Sequence, residues 1–423
     1  MKKASILIEE FKDNKHQERL REIYLDDALL EKQKARYSKA LKEFISLFGD
    51  LEVEIYSAPG RSEICGNHTD HQHGCVVAAA INLDIIAVVA KDDLIEIQSD
   101  AIKLKKIELT NLEYVEKEEG SSEALVKGVV SRMKELGYTI GGFKGYFTSD
   151  VLIGSGLSSS AAFEVLIGTI LSGLYNQMAI DPVVIAQIGQ FAENHYFGKP
   201  SGLMDQSASS VGGMITIDFK DVRHPKVEKI DVDFSTFGYC LCIVDTKGTH
   251  DNLTNEYASI PFEMKMVAEM FEVEFLTDVI EQQFYQNINA VRKKCGDRSV
   301  LRAIHLFEEN KRVKDLVQAL RCNDFTKVKE SIVASGNSSY KLLQNIYVSK
   351  DVQHQEIAIG LALSKKILKD QGFCRVHGGG FAGTIQAFVK ENYVATYKKE
   401  IEQIFGENAC YVLQIRKYGG LKF

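Results

Sequence analysis

The stretch Gly154-Ser155-Gly156-Leu157-Ser158-Ser159-Ser160-Ala161-Ala162 constrains the chain more than any other. It separates a strand-like run, 145–152, from a segment, 160–176, that is apolar nearly all round. A helix apolar on every side belongs inside a core, so this loop opens a buried helix. Glycines let a backbone approach a ligand closely, and the free N–H groups of a helix start attract an anion. Three serine hydroxyls can donate to phosphate oxygens or ligate Mg²⁺. The other reading is a small-residue helix start that permits tight packing. It is not a P-loop, which requires a Lys, and the third position of GxGxxG is Ser here.

Charge sharpens the question of what the loop holds. With 51 Lys+Arg against 58 Asp+Glu the formal charge is −7. An acidic chain lacks the net basic face that broad nucleic-acid or anionic-membrane binding needs, so an anionic ligand requires a local site. At 423 residues, 45% apolar and 26% charged, the chain is of globular composition and long enough for about two or three domains. The longest apolar stretch, 75–90, is broken by Asn82 and Asp84 and is shorter than the ~20 residues of a membrane span. The start, MKKASILIEEFKD, is too short in apolar residues for a secretory signal. Eight scattered cysteines without a CxxC pair read as reduced, buried thiols rather than a disulfide framework or zinc ribbon. A cytoplasmic location is expected.

Periodicity predicts helices within 1–50, with an apolar stripe through Leu41, Phe44, Ile45 and Phe48. A strand over 51–56 runs into a turn at Ala58-Pro59-Gly60-Arg61, residues 76–90 form a buried strand, and 91–119 form a solvent-facing hairpin. Leu125, Val126, Val129, Val130, Met133 and Leu136 share a helix face, capped by Ser121 or Ser122 and ended by Gly137. Asp181-Pro182 opens another helix. A strand at 239–245, helices between about 260 and 370, and strands near 385–390 and 410–416 follow. The expected division is a helical N-terminal extension, 1–40, then domains over 41–237 and 238–423.

Three further clusters carry chemistry. In His377-Gly378-Gly379-Gly380-Phe381-Ala382-Gly383-Thr384 three consecutive glycines form either a tight turn or a wall that a ligand approaches closely. Around Arg61, the run Gly66-Asn67-His68-Thr69-Asp70-His71-Gln72-His73-Gly74 suits a hydroxyl-rich ligand, since Asp accepts from hydroxyls and His and Asn do either. Zinc, or an unliganded polar turn, are the other readings of its histidines. Glu193 precedes Gly198-Lys199-Pro200-Ser201-Gly202-Leu203-Met204-Asp205-Gln206. That pairing can supply a metal ligand and a catalytic carboxylate, although a loop Asp is more often a turn former.

In this order the segments resemble the GHMP sugar and isoprenoid kinases, and within them the galactokinases. GLSSSAA matches the superfamily phosphate loop, GGGFAGT its C-terminal glycine motif, and GLMDQ its catalytic-Asp segment. APGR…GNHTDHQHG is similar to the galactokinase signature GR-x-N-x-I-G-E-H-T-D-Y. The resemblance spans roughly residues 55–390. It implies a two-domain α+β fold, an S5-like α/β N-terminal domain and a ferredoxin-like C-terminal domain, with the active site in the cleft between them. It further implies Asp205 as the catalytic carboxylate beside Arg61, and Gly154, Ser155, Gly156, Leu157, Ser158, Ser159 and Ser160 around ATP, with Ser99 touching the nucleotide. Ser160 and Glu193 would hold Mg²⁺, and Asn67, His68, Thr69, Asp70, Gly202 and Tyr257 would contact the sugar. The implied activity is ATP-dependent phosphorylation of the anomeric hydroxyl of galactose by a monomer. The alternatives are a C1 kinase for galacturonate or N-acetylgalactosamine, or a non-catalytic sugar sensor. Three departures stand out: Asn67 where the pattern has Glu, His71 where it has Tyr, and Ala-Ser-Ile-Pro after Tyr257 in place of a basic run.

Overall fold

A computed structural model describes every residue except 100–103, 105, 152–155, 222 and 249–252. The chain opens with a two-residue edge strand, β1 (Lys2–Lys3), and helices α1 (Ala4–Lys12), α2 (Gln17–Tyr24) and α3 (Leu30–Phe48). The predicted stripe is realised in α3, where Leu41 and Phe44 are fully buried. Residue 40 falls inside α3, so the segment expected as an extension has no boundary there. Phe11, Tyr24 and Tyr37 instead share a core with Ile55, Ile86 and Val88 of the sheet beneath them.

That sheet is built on β2 (Glu52–Cys65) and β3 (Cys75–Asp92), joined by β4 (Ile95–Ser99), β5 (Gly142–Ser149), β6 (Met214–Asp218) and β7 (Lys226–Ile230). Two expectations fail here. The turn predicted at 58–61 is strand, because proline is tolerated where a ladder is interrupted and the β2 register shifts between Pro59 and Arg61. The 91–119 hairpin is replaced, among its described residues, by β4 pairing parallel with β5, with a single antiparallel bridge from Ile95 to Ile107. Burial of Ile95 and Ile97 favours the covered parallel position over a solvent-facing one.

Helices α4 (Ser122–Glu135), α5 (Ser159–Asn176), α6 (Pro182–His195) and α7 (Met204–Val211) cover the sheet. Their starts follow the predicted caps: Ser121 Oγ accepts from Ala124 N at 3.1 Å and Asp181 Oδ1 from Val183 N at 2.8 Å. The second half pairs β8 (Tyr239–Asp245), β9 (Gly372–Val376), β10 (Thr384–Lys390) and β11 (Cys410–Leu413) in an antiparallel sheet ordered β11-β8-β10-β9. Helices α8 (Thr254–Glu269), α9 (Glu281–Gln286), α10 (Ile288–Cys295), α11 (Asp297–Arg321), α12 (Phe325–Ser338), α13 (Glu356–Leu368) and α14 (Val394–Phe405) complete it. The chain then returns to the first sheet, where β12 (Leu421–Lys422) pairs with β2.

The two halves meet along the distal part of β2. Gln386 Nε2 donates to Ser62 Oγ at 2.7 Å and to Glu63 O at 3.0 Å, and Arg375 Nη1 donates to Ile64 O at 2.6 Å. These buried bonds fix the second sheet against the strand that carries Arg61. No described helix is long and apolar enough to cross a membrane.

Candidate active site

Asp205 sits in the first turn of α7, where the helix dipole favours a negative charge. Arg61, from β2, grips it with both arms of its fork: Nε donates to Oδ1 at 2.7 Å and Nη2 to Oδ2 at 2.8 Å. Ser158 Oγ also donates to Oδ2, and Arg61 Nη1 reaches the Gly156 carbonyl. The serine loop, the β2 arginine and the α7 carboxylate therefore form one hydrogen-bonded unit. Burial works to raise the Asp205 carboxyl, but the Arg61 charge and the Ser158 hydroxyl outweigh it and hold it below the usual carboxylate range. The carboxylate is ionised near neutral pH and its side chain keeps 29% exposure, enough to face a ligand.

A polar cavity of about 280 Å³ opens beside this pair. Its walls include Arg61, Glu63, His68, Asp70, Gly202 and Asp205, with the backbone of Gly378 and Gly379 opposite. Two residues need special backbone or space. His68 adopts φ 57° and donates from Nε2 to Gly379 O at 2.8 Å. A Cβ on Gly202 would lie 2.6 Å from Asp70 Oδ2, so glycine there leaves the Asp70 carboxylate room at the cavity wall.

Behind Asp205 lies a second group of oxygens. Glu193 Oε1 accepts from Ser160 Oγ at 3.2 Å and from Lys199 Nζ at 2.8 Å, while Oε2 accepts from Gln206 Nε2 at 2.8 Å. The Glu193 side chain is 3% exposed whereas Lys199 is 58% exposed. A buried carboxylate and a hydroxyl at the start of α5, with a displaceable ammonium already on the carboxylate, are hard oxygen donors of the kind Mg²⁺ takes. Ser160 and Glu193 fit that ion.

The matches to known proteins fall on these same elements. Residues 42–91 match the galactokinase galactose-binding signature and residues 124–213 the GHMP kinases N-terminal domain. The chain is 32% identical over 370 residues to the galactokinase of Glaesserella parasuis serovar 5 (strain SH0165), covering 85% of this chain and 91% of that one. It belongs to the galactokinase family. The Lactococcus lactis subsp. lactis (strain IL1403) galactokinase is 29% identical over 385 residues, 88% of this chain and 92% of its own length. The crystal structure of Lactococcus lactis galactokinase complexed with galactose superposes with a TM-score of 0.75 at 25% identity, covering 90% of this chain and 98% of that one. Methanococcus jannaschii mevalonate kinase, at 18% identity and a TM-score of 0.61, shares the fold. The architecture is the two-domain α+β GHMP kinase fold.

Within this galactokinase-family chain the anticipated residues separate by position. Arg61, His68, Asp70, Gly202 and Asp205 line the cavity, and Gly156, Leu157, Ser158, Ser159 and Ser160 lead into α5 beside it. Gly154 and Ser155 lie outside the described residues. Ser99 ends β4 opposite Phe147. Three residues expected at the sugar have polar groups already engaged within the protein. Thr69 is buried, its hydroxyl donating to Gly66 O at 2.9 Å and Cys75 O at 2.7 Å, so it shapes the turn. Tyr257 donates to Gly380 O at 2.8 Å and packs edge-on against Phe381, bracing the triple-glycine turn rather than lining the cavity. Asn67 reaches the wall, but its side-chain nitrogen and oxygen are already bonded to Glu63, Gly378 O, Ser339 and Asn345.

Sequence reasoning missed the residues that hold the signature turn from the other half. Glu309 of α11 accepts from Gly66 N at 3.0 Å and from Ser335 Oγ, and His305 Nε2 donates to Asn67 O at 2.8 Å. Both lie in a charged helical stretch whose letters give no hint of burial. His377 bridges the halves, with Nε2 3.1 Å from Ser62 Oγ and Nδ1 2.9 Å from Thr384 Oγ1.

Burial depresses these imidazoles: His71 and His305 to about 4, and His377 to about 3. Each folded value lies below the unfolded value of about 6.5. The stability they contribute is therefore complete above about pH 6.5 and is lost as pH falls toward 4 and 3, because the unfolded chain binds protons that the folded one refuses. The urea midpoint is expected to fall on acidification from pH 7.5 to pH 5. An equal midpoint at the two values would show that these rings titrate normally.

Proposed function

We propose that the protein is a sugar 1-kinase that transfers the γ-phosphoryl group of ATP to the anomeric hydroxyl of galactose, giving galactose 1-phosphate. The observation that carries this is the Arg61–Asp205–Ser158 unit at the mouth of a polar cavity in a chain of the galactokinase family. Phosphoryl transfer depends mainly on positioning and on neutralising three oxygens. Asp205, kept ionised by Arg61, accepts the hydrogen bond of the 1-hydroxyl, orients its oxygen and receives its proton as the new P–O bond forms. Arg61 faces the charge that develops and releases none of its own protons. His68, Asp70 and the space left by Gly202 hold the remaining sugar hydroxyls.

The phosphates lie along Gly154 to Ser160, over the free N–H groups that begin α5, and Ser99 contributes to the nucleotide site. Mg²⁺ held by Ser160 and Glu193 supplies charge neutralisation on the phosphate oxygens. The reading takes the enzyme as a monomer, and eight free cysteines suit a cytoplasmic enzyme. The intact serine loop and Asp205 favour catalysis over sugar sensing.

A panel of galactose, glucose, galacturonate and N-acetylgalactosamine with Mg-ATP tests the reading by ADP release. Galactose is expected to give turnover and a product phosphorylated at C1, abolished by chelating the metal. No ADP with galactose, together with turnover of galacturonate or N-acetylgalactosamine, would overturn the substrate assignment.

A further inference from the structure

The family pattern GR-x-N-x-I-G-E places an amide two residues after the arginine and a carboxylate six after it. This chain has them the other way round, Glu63 and Asn67. The exchange is reciprocal in space as well, since Asn67 Nδ2 lies 3.2 and 3.3 Å from the two Glu63 carboxylate oxygens.

The two side chains differ in what they have left to offer. A primary amide has two N–H donors and one carbonyl oxygen with two acceptor positions. Asn67 uses all of them: Nδ2 serves Glu63 and, at 2.8 Å, Gly378 O, while Oδ1 accepts from Ser339 Oγ at 3.1 Å and Asn345 Nδ2 at 2.8 Å. A carboxylate accepts about four hydrogen bonds. Glu63 receives Arg375 Nη2 on Oε1 at 3.2 Å and the Asn67 amide, so Oε2 carries only a long contact of 3.3 Å. Its side chain is 6% exposed, and it lines the cavity with Arg61, His68 and Asp70. Its backbone carbonyl is tied to Gln386, so the acceptor stands on a fixed strand.

We infer that Glu63 accepts a hydroxyl of the bound sugar and sets specificity in place of the carboxylate that position 67 lacks. The inference rests on the sugar-kinase reading. Its consequence is a cavity that still presents a buried anion, which selects neutral hydroxyl donors and rejects a sugar bearing its own carboxylate by like-charge repulsion. Burial raises the Glu63 carboxyl above its usual range, outweighing the pull of Arg375 and Arg61; a hydroxyl donated to it favours the ionised form.

Steady-state kinetics of the wild type, Glu63→Gln, and the exchanged pair Glu63→Asn with Asn67→Glu test this. The probes are galactose, its 2-, 3-, 4- and 6-deoxy analogues, and galacturonate. Glu63→Gln is expected to raise the sugar KM about 10- to 100-fold, the span of a hydrogen bond to a charged group, with the KM for ATP unchanged. One deoxy analogue is expected to lose nothing further in this variant, which identifies the hydroxyl, and the exchanged pair is expected to recover the galactose KM. A sugar KM within twofold of wild type, or an equal loss on every analogue and on ATP, overturns the inference. Should Glu63→Gln not fold, the exchanged pair alone decides, because it restores one carboxylate and one amide to the site. If the wild type ignores galactose, the substrate assignment fails. The same analogue comparison is then read on whichever panel sugar it phosphorylates, so the two failures remain distinct.

Discussion

Asp205→Ala is expected to lose about 10³-fold or more in kcat while still binding galactose and ATP, since a positioned proton acceptor contributes roughly 10²–10⁴-fold. The size follows from geometry. Asp205 is the carboxylate at the junction of cavity and serine loop, and both its oxygens are oriented, one by Arg61 Nε at 2.7 Å and the other by Arg61 Nη2 at 2.8 Å and Ser158. Removing it leaves the substrate hydroxyl without an acceptor and Arg61 without its counter-charge. Asp205→Asn separates these effects, because it keeps the shape opposite Arg61 but removes the charge; its kcat is expected to fall by a similar factor. Coupled ADP-release kinetics with calorimetric titration of each ligand would measure both. A variant retaining kcat within tenfold, or one that no longer binds either ligand, would remove Asp205 from the chemistry assigned to it.

Asp84→Ala is expected to destabilise the fold by about 3–5 kcal/mol, the magnitude seen when one partner is removed from a buried ion pair. Asp84 is fully buried at the centre of a cluster. Arg36 Nη1 donates to its Oδ1 at 2.7 Å, and Arg416 Nη1, Tyr24 and Ser57 converge on Oδ2, the first two at 2.9 Å. Burial raises the Asp84 carboxyl, yet the two guanidinium charges more than compensate and lower it. Alanine would leave the buried Arg416 without its counter-charge and Arg36 with Asp150 alone, at 3.3 Å. The loss should appear as a lower urea midpoint, with the sugar and ATP KM values of the surviving folded fraction unchanged. A change under about 1 kcal/mol would mean that the cluster is as weakly coupled as surface pairs are. Arg36 and Tyr24 come from the first helices, so the variant also shows what those helices do: they neutralise and cover the back of the sheet that carries Arg61.

How much of this was legible depended on whether the cause was local. Helix starts capped by Ser121 and Asp181, the stripe of α3 and the strand Tyr239–Asp245 follow from nearest-neighbour chemistry, and the sequence predicted them. The motif loops were legible as ligand-binding types because clustered glycine and serine have few other uses. The helix that carries Asp205 was not. MDQSASSV has the small polar residues that favour caps and turns over helix interiors, and it is helical because tertiary partners satisfy it. Gln206 bonds to Glu164 and Glu193, Ser209 to Pro59 O at 2.6 Å and Ser210 to Pro182 O at 2.7 Å. The hydrogen bonding of Asn67 was illegible for the same reason. Its four partners come from β2, the triple-glycine turn and the end of α12 onward, and no window of sequence contains them together.

The return of the chain to the first sheet has a consequence for how the molecule comes into being. Gln414 O accepts from Asn82 N at 3.0 Å, Arg416 N donates to Ala80 O at 2.9 Å, and its guanidinium reaches Asp84. During synthesis the first sheet therefore receives these bonds, and its edge strand β12, only after the second half has been made. The halves are thus tied by a returning thread as well as by the single crossing between them, and an exchange of either half for a relative's would have to match that thread.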